Sequence, residues 1–278
     1  MNEIARLSPS IAKTLLNKSP KHAWLEHRLL GGMKKEPSDS MIRGKILEAH
    51  ILNGGVISDK EYEVLDFSDY RTKEAQGAKE AVISQGRTPV LQKKIDEYAA
   101  AGARLKQEIA KRKIDLRGLY QHTVNWEYDA VPCKGVLDIF NPETGIIIDL
   151  KSTEDASPEG IQRSFVNFGY DLQDAAYPEG IVTQDATLAG RVKMLFIFFE
   201  VAEPFGIAVR ETSGTMKEYG RSRWERAKRL WGECLKIGKW PGYPEGIQYI
   251  DAPGWLLSKE EQIKFEDDMT HSAMESQQ

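Results

Sequence analysis

Cysteine is scarce in this chain. Cys133 and Cys234 are the only two in 278 residues. They lie far apart, one in a predicted strand and one in a predicted helix, so no disulfide framework can be drawn and a reducing compartment fits. No run of eighteen apolar residues occurs. The first apolar stretch is broken by Ser8-Pro9, so neither a spanning helix nor a cleavable signal is expected. A cytoplasmic setting follows as the expectation. Internal repeats, low-complexity segments and an interdomain linker are missing too. Also missing is any excess of positive charge, since 38 Lys and Arg stand against 42 Asp and Glu.

That balance is uneven along the chain. Lys259 to Gln278 hold six acids against two lysines, which accounts for the whole net charge of −4 and leaves the body neutral. Within the body, residues 1–35 hold seven Lys or Arg against two acids, and Arg221 to Lys236 hold six against two. Basic patches on a neutral body can bind phosphates without sequence specificity, with an affinity that falls as salt rises. A solvated helix face is the competing explanation for Arg221, Arg223, Arg226, Lys228 and Arg229.

The most informative stretch runs from Lys134 to Lys151. Val136 to Phe140 and Ile146 to Leu150 are short apolar, β-branched-rich runs, and Asn141-Pro142-Glu143-Thr144-Gly145 between them carries turn residues, which predicts a β-hairpin. If the loop is Pro142 to Gly145, Asn141 faces Ile146 and the register sets Asp138 opposite Asp149, with Cβ atoms about 5 Å apart. Like charges placed directly opposite are destabilising unless something positive sits between them. A divalent cation is the natural candidate. Lys151 lies two residues beyond Asp149 on the same face, whereas Leu150 points to the other side. Hard oxygen ligands suit Mg²⁺ or Mn²⁺, ions that activate water and stabilise the oxygens of a phosphoryl displacement. An ordinary exposed hairpin would carry the same Asp-x-Lys pattern, so these residues alone do not decide.

Two further segments add to it. Met41 to Leu52 reads as a helix with Ile42, Ile46, Ala49 and Leu52 on its apolar side, and it carries Glu48 and His50. In Tyr170-Asp171-Leu172-Gln173-Asp174-Ala175-Ala176-Tyr177, residues 170, 173 and 177 share one helical face that could pack over the hairpin. Packing alone would account for the two tyrosines; Gln173 is the sharper candidate.

With these residues in view, the chain resembles the PD-(D/E)xK nuclease superfamily, and within it the phage and prophage exonucleases typified by the RecE (exonuclease VIII) catalytic domain. The resemblance rests on Arg43-Gly44-Lys45-Ile46-Leu47-Glu48-Ala49-His50, Gly135-Val136-Leu137-Asp138, Asp149-Leu150-Lys151-Ser152-Thr153 and Gln173-Asp174-Ala175-Ala176-Tyr177. It extends to Leu7-Ser8-Pro9-Ser10 at one end and to Trp240-Pro241-Gly242-Tyr243 and Pro253-Gly254-Trp255 at the other. It implies Asp138, Asp149, Lys151 and Gln173 as catalytic residues, with His50, Asp138, Asp149 and Leu150 at one or two Mg²⁺ (or Mn²⁺) ions. Glu48 points away from His50 on the helix and ranks second to it. The aspartate at 149, where glutamate is commoner, agrees with the RecE-like branch. Some relatives carry an iron–sulfur cluster, but that needs four thiolates and only two exist here. The resemblance further implies 5′ to 3′ digestion of double-stranded DNA ends in a phage or bacterial cell. It also implies a ring-like homo-oligomer such as a tetramer, and a single-strand annealing protein as partner in recombination.

The expected architecture is α/β, a restriction-endonuclease-like core in which a central mixed sheet, flanked by helices, carries the site at one edge. Residues 1–257 form the single catalytic domain and 258–278 a poorly ordered acidic tail. Helices are predicted from Ser8-Pro9 to Leu16, Pro20 to Leu30, Pro89 to Lys111 and Met216 to Ile237. Strands are predicted near His122 to Tyr128, Cys133 to Phe140, Ile146 to Lys151, Val192 to Val201 and Gly206 to Glu211. Competing readings are another nuclease of the superfamily, endonucleolytic or single-strand-specific, and a catalytically silent module that binds DNA ends. A non-haem iron enzyme built on His50 lacks a second histidine at a workable spacing.

Overall fold

A computed structural model describes residues 3–33, 37–53 and 55–275, with side chains through 267. In chain order the helices are α1 (Pro9–Asn17), α2 (Pro20–Glu26), α3 (Asp39–Asn53), α4 (Lys73–Ser84), α5 (Gln92–Lys111), α6 (Pro158–Phe168), α7 (Tyr170–Gln184), α8 (Gly214–Ile237) and α9 (Gly254–Glu275). The strands are β1 (Tyr62–Leu65), β2 (Thr88–Leu91), β3 (Leu119–Tyr128), β4 (Val131–Asn141), β5 (Ile146–Thr153), β6 (Lys193–Glu200) and β7 (Ile207–Arg210).

Local chemistry sets many of these boundaries. Ser8, Ser19 and Ser157 each accept a hydrogen bond from a main-chain N–H in the first turn of α1, α2 and α6, and a proline follows each cap. That pairing satisfies orphan donors with a pre-set φ. Thr72 and Ser213 cap α4 and α8 in the same way. The segment between α3 and α5 holds β1, α4 and β2, three short elements whose polar composition reads as irregular. Part of the helix predicted from Pro89 is strand β2, because Val90 and Leu91 are buried where β2 runs parallel to β1. Helix α6 escapes the sequence reading, and α7 continues past Pro178 to Gln184. Burial of Gly180 and Ile181 outweighs the hydrogen bond that the proline removes.

Strands β3 to β7 form one sheet in chain order, antiparallel except for the parallel β5–β6 pair. Two cores cover its faces. On one side Leu137, Ile147, Phe196 and Phe198 meet Leu172, Ala176 and Tyr177 of α7 and Trp224 and Trp231 of α8. On the other, Ile139, Ile148, Leu150, Ile197 and Phe199 meet Leu47 and Ile51 of α3 and Ala101, Leu105 and Ile109 of α5. The fold is therefore the predicted mixed sheet flanked by helices. Cys133 and Cys234 are both buried and free. No helix among the described residues is long and apolar enough to cross a membrane.

Met1–Gly242 and Tyr243–Gln278 separate into two compact units, a division earlier than the predicted 257/258 boundary. The second unit carries α9 where the sequence reading expects little order. No proline interrupts residues 254–275, and Leu, Lys, Glu, Gln and Met there are good helix formers.

Candidate active site

The hairpin forms in the predicted register. Asn141 pairs with Ile146, Phe140 with Ile147 and Ile139 with Ile148. Asn141 Oδ1 accepts from the N–H groups of Glu143 (3.0 Å) and Thr144 (3.2 Å), and Gly145 takes φ +74°, the left-handed conformation that closes the turn. The ladder then stops at Asp138. There Leu150 N–H donates to Asp138 Oδ2 at 2.8 Å, so a carboxylate replaces the main-chain carbonyl and β4 parts from β5. The site sits in the fork between these strands, and β5 is the middle strand of the sheet. The predicted edge location is corrected accordingly.

Asp138, Asp149, Lys151 and Gln173 all line one cleft of about 840 Å³. Asp149 is 2% exposed and forms an ion pair with Lys151. The Lys151 ammonium also lies 4.5 Å from the centre of the Tyr170 ring. Gln173 Nε2 donates to the Tyr177 hydroxyl at 3.1 Å, while its Oε1 is buried without a partner. Leu150 takes part through its main-chain N–H, since its side chain belongs to the opposite core.

His50 is not brought to this cleft. A Cβ added at Gly102 of α5 would stand 2.3 Å from His50 Cβ, and one at Gly55 would stand 2.6 Å from its ring, so the histidine is wedged against α5 and the end of α3. Burial holds its pKa below the ordinary histidine value. The helix presents Glu48 instead, together with Lys45 and Gly44. Gly44 packs so closely on β5 that a Cβ would come within 2.8 Å of Ser152 Oγ, and Glu48, four residues on, shares that face. Of the two candidates on this helix, Glu48 is the one that lines the cleft. The apolar residues of α3 do not define a narrow stripe, so periodicity alone could not orient it.

Two further residues escape the sequence reading. Lys45 Nζ donates to Glu48 Oε2 at 2.8 Å. Gln121 Nε2 donates to Glu48 Oε1 at 2.6 Å and to Asp138 Oδ1 at 3.2 Å, tying helix to strand. Gln121, the third residue of β3, holds φ +48°, a conformation that costs energy in a non-glycine residue. No motif marks it; only the fold places it opposite Asp138.

The electrostatics are those of an acidic pocket short of positive charge. Burial, with Asp138 and Asp149 nearby, pushes Glu48 up to about 7 against the pull of Lys45. Burial likewise raises Asp149 to about 6; Lys151 opposes this and Asp138 adds to it. Burial works against the charge of Lys151, but Asp149 and Asp138 outweigh it and hold the ammonium above the usual lysine range. Among the described residues, no three acidic, histidine or cysteine side chains already converge as a metal cage. Each carboxylate is held by donors: Glu48 by Lys45, Asp138 by Leu150 N–H, Asp149 by Lys151, with Gln121 shared between Glu48 and Asp138.

A paired aspartate and Asp-x-Lys at a hairpin fork in a mixed sheet define the PD-(D/E)xK class. The chain belongs to a family of PDDEXK-like domains of unknown function, matched over residues 8–253. Among solved structures it is similar to a candidate exonuclease from Eubacterium rectale, 14% identical over 90% of both chains with a TM-score of 0.53, a likeness that shows the fold. A phage-related exonuclease from Haemophilus somnus 129PT matches at 11% identity over 84% of this chain and 97% of its own, with a TM-score of 0.34. No protein of curated function matches the sequence.

The basic helix is in part structural. Arg223 donates to Asp171 Oδ2 at 2.8 Å and to Asn17 Oδ1 at 2.9 Å, and the buried Lys228 donates to Glu179 Oε2 at 2.7 Å. These two cations are spent inside the fold. Of the basic residues near the start of the chain, Lys34 and Lys35 lie outside the described residues.

Proposed function

We propose that this chain is a metal-dependent DNA nuclease that hydrolyses phosphodiester bonds. The observation that carries the reading is the convergence of Asp138, Asp149 and Lys151 on one cleft across a single hairpin, with Glu48 facing them from α3. Three carboxyl groups as hard oxygen donors, two of them raised by burial and mutual repulsion, fit a divalent cation of the Mg²⁺ or Mn²⁺ type. Glu48, Asp138 and Asp149 would hold it; His50 would not. When bound, such an ion supplies Lewis acidity and lowers the pKa of water.

The chain's own residues do the rest. Lys151, kept protonated between Asp149 and the Tyr170 ring, offsets the charge that grows on a scissile phosphate. Asp138 is fixed by its bond from Leu150 N–H, and Gln121 sets its spacing from Glu48. Gln173 Oε1 offers an unused acceptor to substrate or water at the wall of the cleft.

Exonucleolytic action on double-stranded ends, 5′ to 3′ polarity, a ring-like oligomer and a recombination role belong to the same proposal. They rest on the RecE-like motifs, and the name of the E. rectale protein supports the exonucleolytic part alone. Incubating end-labelled linear duplexes and covalently closed circles with Mg²⁺ or with EDTA tests it. Loss of the 5′ label first, intact circles and no reaction in EDTA are expected, with Lys151→Ala slower by at least about a hundredfold. Cutting of closed circles overturns the exonuclease, and hydrolysis of no DNA in either metal overturns the nuclease.

A further inference from the structure

Beyond the catalytic fork, the cleft continues to a wall at Phe168, a residue that has no part in the chemistry above. Phe168, the last residue of α6, is 57% exposed and lines both the main cleft and a second depression of about 340 Å³ on its far side. That depression is bordered by Ser10, Lys13, Thr14, Asn17 and Lys18 of the α1 region. Glu26 is the acid on the same wall, and Thr14 Oγ1 (2.7 Å) and Lys18 Nζ (3.9 Å) already engage it. Gln173, with its buried unpartnered Oε1, opens on both sides of the wall.

Two neighbouring rings lie between two cations along this path. Lys151 Nζ lies 4.5 Å from the Tyr170 ring centre, the Tyr170 and Phe168 rings are 5.8 Å apart at 31°, and Lys13 Nζ lies 5.5 Å from the Phe168 ring centre. Gly169, at φ +72°, turns α6 directly into α7 and lets the Lys13 stem pack against the corner. Phe168 adds little to the core at its exposure, so burial does not explain a large apolar ring there. An exposed aromatic ring flanked by ammonium groups is what an unpaired polynucleotide needs, a base on the Phe168 ring and phosphates on the lysines, with Tyr170 packed on Phe165, Phe196 and Phe198 behind it. A base inside a duplex has both faces covered by its stacked neighbours, and exposing one costs unstacking energy.

We propose that the Phe168–Gly169–Tyr170 corner is a base-stacking step that carries an unpaired DNA strand between the catalytic cleft and the Lys13 groove of α1. The proposal rests on the nuclease reading for the identity of the ligand, and its test separates the two. The intact chain, held in EDTA so that nothing is cut, is titrated into a labelled oligothymidine of about twelve nucleotides. The same titration is run with a blunt duplex closed by a hairpin. Phe168→Ala weakens oligothymidine binding about tenfold and Phe168→Trp restores it. Lys13→Ala weakens binding and flattens its salt dependence, by about one unit of slope. The blunt duplex is indifferent to Phe168.

Unchanged oligothymidine binding in Phe168→Ala overturns the strand path, as does an equal loss on the blunt duplex. A parent protein that binds oligothymidine through Phe168 yet hydrolyses no DNA overturns the nuclease reading and leaves the path standing. A parent that hydrolyses DNA while its binding ignores Phe168 overturns the path alone.

Discussion

At the scale of single residues, Glu48 and His50 show how much a helix rotation decides. They are two positions apart on α3, yet one enters the cleft and the other wedges against Gly102 of α5. Glu48→Gln keeps the shape and removes the ligand charge, so activity should fall by at least about a hundredfold with little change in melting temperature. His50→Ala should do the reverse, costing about 1–3 kcal/mol of stability through the gap it leaves, with activity close to parental. Activity assays beside thermal unfolding of both variants check this, and a dead but stable His50→Ala would return the histidine to the site. Gln121 makes a separate case. Its amide joins Glu48 to Asp138 from a strained backbone position, so Gln121→Ala should weaken Mn²⁺ binding about tenfold as measured by calorimetry. Gln121→Gly, which suits a positive φ, should lose the same affinity without losing stability.

At the scale of elements, the site depends on how closely α3 lies between β5 and α5. Gly44 lets it approach the strand, and Gly102 lets it approach the helix. In an isolated helix, Gly102→Ala would be favourable by about 1 kcal/mol. Here the new methyl would meet His50 Cβ at 2.3 Å, so a net loss of about 1–3 kcal/mol is expected from overpacking. Denaturant unfolding measures it, and a stabilised Gly102→Ala would show that the two helices part at no cost. The hairpin is the opposite kind of element, because its register follows from Asn141, Gly145 and the alternation of apolar residues on β4 and β5. Little outside the hairpin is needed to place Asp138 near Asp149.

At the scale of the whole molecule, charge is divided between the two units. Tyr243–Gln278 holds eight acids against two lysines, which leaves residues 1–242 with a net charge of +2 inside a chain of −4. Removing the second unit should therefore tighten DNA binding at low salt, and the gain should vanish as ionic strength rises and the Debye length shrinks below about 10 Å. Binding curves of the full chain and of residues 1–242 across a salt series check it, and a gain that persists at high salt would mean a contact other than net charge. Legibility in the sequence follows the range of the interactions. The Ser8-Pro9 helix start, the hairpin register and the acid–lysine face were readable because each depends on residues a few positions apart. The elements β1, α4 and β2 were not, because short polar segments take their structure from what they pack on. The same holds for the choice of Glu48 over His50, the Gln121 bridge and the inward turn of Arg223 and Lys228. These join residues dozens of positions apart, and only the packing of helices on both faces of the sheet could decide which side chains face the fork of β4 and β5.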